Sequence, residues 1–106
     1  MNHQKPIDIM LNLIGTSVVG YQVAEGYIWL ELKLLNQEIA CPYCQKITKE
    51  LHQKKFVSVR DLPISGQPVY LKVPRRRFYC RFCQRYVTER LDFIPWRSAQ
   101  TKRYED

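Results

Sequence analysis

Cys41-Pro42-Tyr43-Cys44 and Cys80-Arg81-Phe82-Cys83 stand thirty-five residues apart in a chain of 106, and the use of these four sulfurs decides the fold. Two residues between the cysteines of a pair let both thiolates reach one ion, and two such pairs complete a tetrahedron of soft ligands around zinc. Such a set closes the coordination sphere, so the one zinc ion expected here is structural and not catalytic. Two other uses of the cysteines fit the sequence less well. A disulfide framework belongs to exported domains, and Met1-Asn2-His3-Gln4-Lys5-Pro6 shows no apolar stretch followed by a cleavage site. A redox pair calls for one CxxC in a βαβ setting, which the flanking sequence does not suggest. His52 lies between the knuckles and, with four thiolates available, is expected at the surface or behind the ligands. His3 carries no signal.

Outward from the knuckles the period of the apolar residues is two. Val19, Tyr21 and Val23 alternate, then Ile28, Leu30, Leu32 and Leu34, with Glu25-Gly26 between them as a turn. This hairpin is expected to be the main apolar support of the ribbon, with Tyr27, Trp29, Glu31 and Lys33 on its opposite face. A second hairpin is expected from residues 51–60 and 68–73, joined by a connector over residues 61–66 rich in turn formers. Residues 75–79 then deliver the chain to the second knuckle, and residues 85–89 form a short strand after it. At the start, residues 6–15 fit a short helix, with Pro6 early and Gly15 as a cap. The expected class is therefore a small α+β, mostly β domain: a zinc ribbon with an N-terminal short helix and hairpin over residues 1–90. Residues 91–106 read as a linker and the polar start of a helix.

Charge is segregated. Residues 1–40 hold two lysines against four acids, a net −2, and from residue 41 fifteen Lys or Arg face six Asp or Glu, a net +9. Arg75, Arg76, Arg77, Arg81 and Arg85, with Lys54 and Lys55, are the candidate phosphate contacts, and Tyr70, Phe78, Tyr79, Phe82 and Tyr86 are interleaved with them. Cations on a rigid scaffold neutralise phosphates, and rings can stack on bases. Phe78 and Phe82 are expected to pack around the metal, and most of the arginine cluster to face solvent because a buried unpaired guanidinium is costly. No apolar run is long enough to span a membrane, and a reducing cytoplasmic location, associated with the nucleoid, is the expectation.

Cys41-Pro42-Tyr43-Cys44, His52, Val59-Arg60-Asp61-Leu62-Pro63-Ile64, Gly66, Val69-Tyr70-Leu71, Arg75-Arg76-Arg77-Phe78-Tyr79-Cys80, Cys83 and Thr88-Glu89-Arg90 together resemble the N-terminal zinc finger of insertion-sequence transposases of the ISL-three family, over roughly residues 10–104. The resemblance implies a module that helps a transposase recognise the terminal repeats of its transposon. Residues 91–106 then look like that family's linker and the start of its helix-turn-helix, which in complete members is followed by a catalytic domain with acidic metal ligands. The six acidic residues from position 41 onward are scattered, so no catalysis is expected from this polypeptide, which would be a truncated or split transposase. Alternatives are a protein-interaction module that docks on another transposase chain, and a ribbon that binds single-stranded nucleic acid or RNA. No small-molecule substrate is expected.

Overall fold

The computed structural model describes residues 11–13, 15–95 and 98–105. They form β1 (Thr16–Ala24), β2 (Tyr27–Leu34), β3 (Ile39–Ala40), β4 (Ile47–Thr48), β5 (Leu51–Ile64), β6 (Gln67–Cys80), β7 (Arg85–Thr88) and α1 (Lys102–Glu105). Strands β1, β2, β6 and β5 lie side by side in that order, β7 pairs with β6, and β3 with β4 makes a separate two-stranded piece. The helix expected over residues 6–15 falls mostly outside the described residues; α1, near the other end of the chain, is the helix that the description contains.

The first hairpin forms as expected, with Gly26 at φ 82° in its turn, a conformation that L-residues with a side chain avoid. Its apolar rows behave unequally. Leu30, Leu32 and Leu34 are buried, but from β1 it is Val18 that enters the core, and Val19, Tyr21 and Val23 stay in solvent. Trp29, on the other face, is half-buried and stacked on Tyr70 with ring centroids 5.0 Å apart.

The second hairpin is longer than expected. Residues 61–66 are not a free connector: β5 runs through Asp61-Leu62-Pro63-Ile64 with a bulge between Asp61 and Ile64, and the turn itself is Ser65-Gly66, both at positive φ. Pro63 lacks a ladder donor and is tolerated because β5 is an edge strand. Residues 75–79 are likewise not a separate delivery segment. They continue β6 past Pro74, a residue that reads as a strand end in sequence. Pro74 fits because β2 pairs with β6 only as far as Lys72 and β7 begins its pairing at Arg77, so the proline stands in the gap between two neighbours.

β6 therefore crosses the whole molecule, which measures 47 Å along its longest axis. Side chains alternate between faces along a strand. Val69, Leu71 and Val73 point to the front of the sheet and are buried; on the far side of Pro74 it is Arg76, Phe78 and Cys80, pointing to the back, that are buried. The ladder to β5 is unbroken from Val73 to Arg77, so the change of buried face is real and not a bulge. Two cores result. The proximal one joins Leu11, Leu13, Val18, Leu30, Leu32, Val59, Val69, Leu71 and Val73, with Leu91, Phe93 and Ile94 packed against it. The distal one, on the opposite face, consists of Cys41, Phe78, Cys80 and Val87, with Ile39, Cys44 and Cys83 alongside.

Residues 98–105 dock on the outer edge of β5. The Arg60 amide donates to the Ala99 carbonyl at 2.8 Å, and the Thr101 amide to the Arg60 carbonyl at 2.9 Å. Asp61, 1% exposed, accepts from the Thr101 hydroxyl at 2.8 Å and from the Arg103 guanidinium, which also donates to the Leu11 carbonyl at 2.7 Å. One carboxylate thus ties three distant segments together.

Candidate functional site

The first knuckle hangs on the β3–β4 piece and the second on the turn from β6 into β7. In the first, the Cys41 amide donates to the Lys46 carbonyl at 2.9 Å and the Gln45 amide to the Cys41 carbonyl at 2.8 Å, which curls the loop under its own sulfurs. Each knuckle is followed by a glutamine in the left-handed region, Gln45 at φ 68° and Gln84 at φ 55°. The Cys-Gln repeat was visible in the sequence, and it marks where each loop reverses. Thr48 fastens the two pieces, its hydroxyl donating to the Tyr79 carbonyl at 2.6 Å, while the Tyr79 amide donates to the Glu50 carbonyl at 2.9 Å.

These constraints gather Cys41, Cys44, Cys80 and Cys83 with all four sulfurs within 4.8 Å of one another. Cys41 and Cys83 approach to 3.5 Å and Cys44 and Cys80 to 3.6 Å. A tetrahedron with Zn–S bonds of about 2.3 Å has sulfurs about 3.8 Å apart, whereas a disulfide needs about 2.05 Å. All four cysteines are free thiols. Burial pushes the Cys41 thiol up, but the amides of Cys44 and Tyr43 and the neighbouring thiols outweigh it and hold it at about 6. Cys83 goes the other way, to about 12, through burial and its three cysteine neighbours. Four sulfurs this close do not all ionise unless a cation sits among them, and an all-sulfur tetrahedral donor set suits zinc. The residues present fit that ion: they would hold it with every coordination position filled by protein, and its contribution would be to fix the distal core.

His52 stands outside the cluster, its ring 4.5 Å from that of Tyr86 between centroids. Phe78 fills the distal core as expected. Phe82 does not: it is 65% exposed, with the Lys46 ammonium 4.9 Å from its ring centre. Its knuckle position points it away from the metal.

The seven candidate phosphate contacts divide into three sets. Lys55 lies directly across from Arg75, and Arg77 is two residues further along the same face. This front face of the distal sheet also carries Tyr79 and Tyr86, 5.0 Å apart between ring centres, and the Arg77 guanidinium lies 5.2 Å from the Tyr86 ring centre. Arg81 and Arg85 sit at the rim of the metal site: Arg81 makes a two-toothed pair with Glu50 at 2.6 and 3.0 Å, and Arg85 lies 4.6 Å from the Tyr43 ring centre. Lys54 is exposed on the back, across from Arg76. Arg76 is a correction. It is 6% exposed, and its guanidinium donates to both Glu89 oxygens at 2.7 and 2.6 Å, to the Asn36 carbonyl at 2.8 Å and to the Asn36 side chain at 3.1 Å. Four hydrogen bonds, two of them to a carboxylate, offset the cost of burial that pointed to solvent, so this guanidinium is engaged inside the fold.

Two hairpins that each offer a CxxC loop to one four-sulfur site define a zinc ribbon. Residues 37–83, which include both knuckles, match the family described as the zinc-finger of transposase IS204/IS1001/IS1096/IS1165. The transposase for insertion sequence element IS1001 from Bordetella parapertussis is 36% identical to this chain over 63 residues, which is 59% of this chain and 16% of that protein. The chain thus carries a zinc-ribbon domain of the ISL-three transposase type, and the similarity spans about a sixth of the relative's length. No solved structure matches. Among the described residues no helix is long and apolar enough to cross a membrane.

Proposed function

We propose that this chain is a zinc-dependent DNA-binding module of a transposase, engaged in recognising transposon ends, with no catalytic step of its own. The observation that carries the reading is the division of labour across β5, β6 and β7. Their back is closed by the sulfur cluster and Phe78; their front is left open and lined by Lys55, Arg75, Arg77, Tyr79 and Tyr86. The metal makes this stretch of sheet rigid, and the rigid sheet displays cations at the spacing of its ladder. Phosphate contacts of this kind give affinity with little sequence choice, so base reading falls to other parts of a transposase. Closed coordination by four cysteines leaves the ion no role in strand cleavage.

Fluorescence anisotropy with a duplex carrying the terminal repeats that flank the gene tests the reading. Binding is expected at low salt and weakens as salt rises, and Arg77→Ala is expected to reduce the slope of log K against log salt by about 1. Absence of binding at low salt, or a slope indifferent to Arg77, would overturn it. Tighter binding to single strands than to duplex would replace it with a reading in which the exposed rings stack on bases.

A further inference from the structure

The sheet has one edge that is built unlike a normal edge. β1 reads Thr-Ser-Val-Val-Gly-Tyr-Gln-Val-Ala, nine residues with neither a charge nor a proline. Edge strands ordinarily carry lysine, proline, an inward charge or a bulge, because unpaired backbone groups on a neutral strand recruit another strand. β1 has a bulge between Val18 and Gly20, beyond which its ladder runs regularly from Gly20 to Ala24. Among the described strands β1 pairs with β2 alone. Its outer part also exposes Val19 at 46%, Tyr21 at 79% and Val23 at 62%. Tyr21 and Val23 lie across from Leu30 and Ile28, so this row is on the front of the sheet and continues the proximal core out into solvent.

We infer that the stretch over residues 20–24 is a pairing surface for a second copy of this chain, the two β1 strands running antiparallel across a two-fold axis near Gln22. Charge selects the occupant. A second copy carries the same net +7, and approach through any basic surface sets that charge against itself within a Debye length of about 8 Å. The first 40 residues hold a net −2 and the strand itself is neutral, so this edge is where two copies meet with the least repulsion. The strand is also self-complementary. With the axis at Gln22, each copy's Tyr21 faces the other's Val23, giving two apolar cross-strand pairs on one side of a sheet that continues through both copies. The basic fronts near Arg77 end up at the two far ends of the assembly. The pairing does not depend on what those fronts bind.

Sedimentation equilibrium of the zinc-loaded full chain near 100 μM decides the matter. The expected mass is twice the 12.7 kDa of one chain. Tyr21→Lys and Val23→Lys, both at exposed positions, are expected to raise the dissociation constant about tenfold or more while zinc content stays at one per chain. Amide exchange of the unaltered protein provides a check that needs no variant: protection over residues 20–24 should rise with protein concentration, while that of β7 should not. A monomer at every concentration, or a dimer untouched by both lysines and with concentration-independent β1 amides, overturns the inference. So does association that requires another transposase segment, since the occupant would then not be a second copy.

Discussion

The two halves of β6 are stabilised by different physics. Proximal to Pro74 the strand is held by Val69, Leu71 and Val73 in an apolar cluster drawn from both hairpins and the chain ends; distal to it, by Phe78, Val87 and four sulfurs. The first half needs area removed from water. The second is too small to gain enough from area, and its cohesion comes from ligation, which in small zinc peptides is worth on the order of 10 kcal/mol. One continuous strand shared by both means that loss of either core is felt by the other, but not equally.

The largest effect should come from the metal. Cys80→Ser, or chelation, is expected to abolish amide protection at Phe78 and Val87 while Leu30 and Leu71 keep part of theirs, as read by hydrogen exchange; uniform loss would show that the halves form a single cooperative unit. Next comes the junction. Glu89→Ala leaves the Arg76 guanidinium buried without its carboxylate and is expected to cost about 3–5 kcal/mol by urea denaturation, whereas replacing Arg76 and Glu89 together by Met and Leu should be nearly neutral.

Asp61→Asn probes the proximal half alone, at about 2 kcal/mol near neutral pH. Burial raises the Asp61 carboxyl, but the Arg103 bond, the Leu62 amide and the Thr101 hydroxyl outweigh it and hold the carboxyl below the usual carboxylate range. A lowered folded-state value contributes stability that is fully present above the ordinary carboxyl value near about 4 and is lost as pH falls through the folded-state value. Denaturation curves of Asp61→Asn and the unaltered chain should therefore converge in acid and differ at pH 7. Smallest of all, Gln45→Gly and Gln84→Gly relieve a left-handed side-chain residue in each knuckle and should each stabilise the distal half by about 0.5 kcal/mol, visible as slower metal loss to a chelator.

What was legible in the sequence was what depends on short spacing. The four ligands and the Glu25-Gly26 turn rest on contacts within a few residues or on a pattern that repeats. What escaped depends on partners far along the chain. Arg76 reads as a surface cation until Glu89 and Asn36, thirteen and forty residues away, are seen to enclose it. Asp61 reads as a turn residue until Thr101 and Arg103 arrive to bond it. Pro74 reads as a strand end because the absence of a neighbour at that point is a property of the sheet and not of the residue. The exposure of Val19, Tyr21 and Val23 escaped for a related reason: alternation shows which residues share a face, and nothing in it shows whether that face is covered.

The exchange of buried faces at Pro74 also bears on how the gene can change length. Removing or adding one codon between those for Val73 and Arg76 would turn Phe78 and Cys80 to the front and Arg77 to the back, undoing the metal centre and the display of cations in a single event. Drift in length should therefore be tolerated in the β1–β2 turn and be purged from the middle of β6, even where the codons gained or lost encode harmless residues.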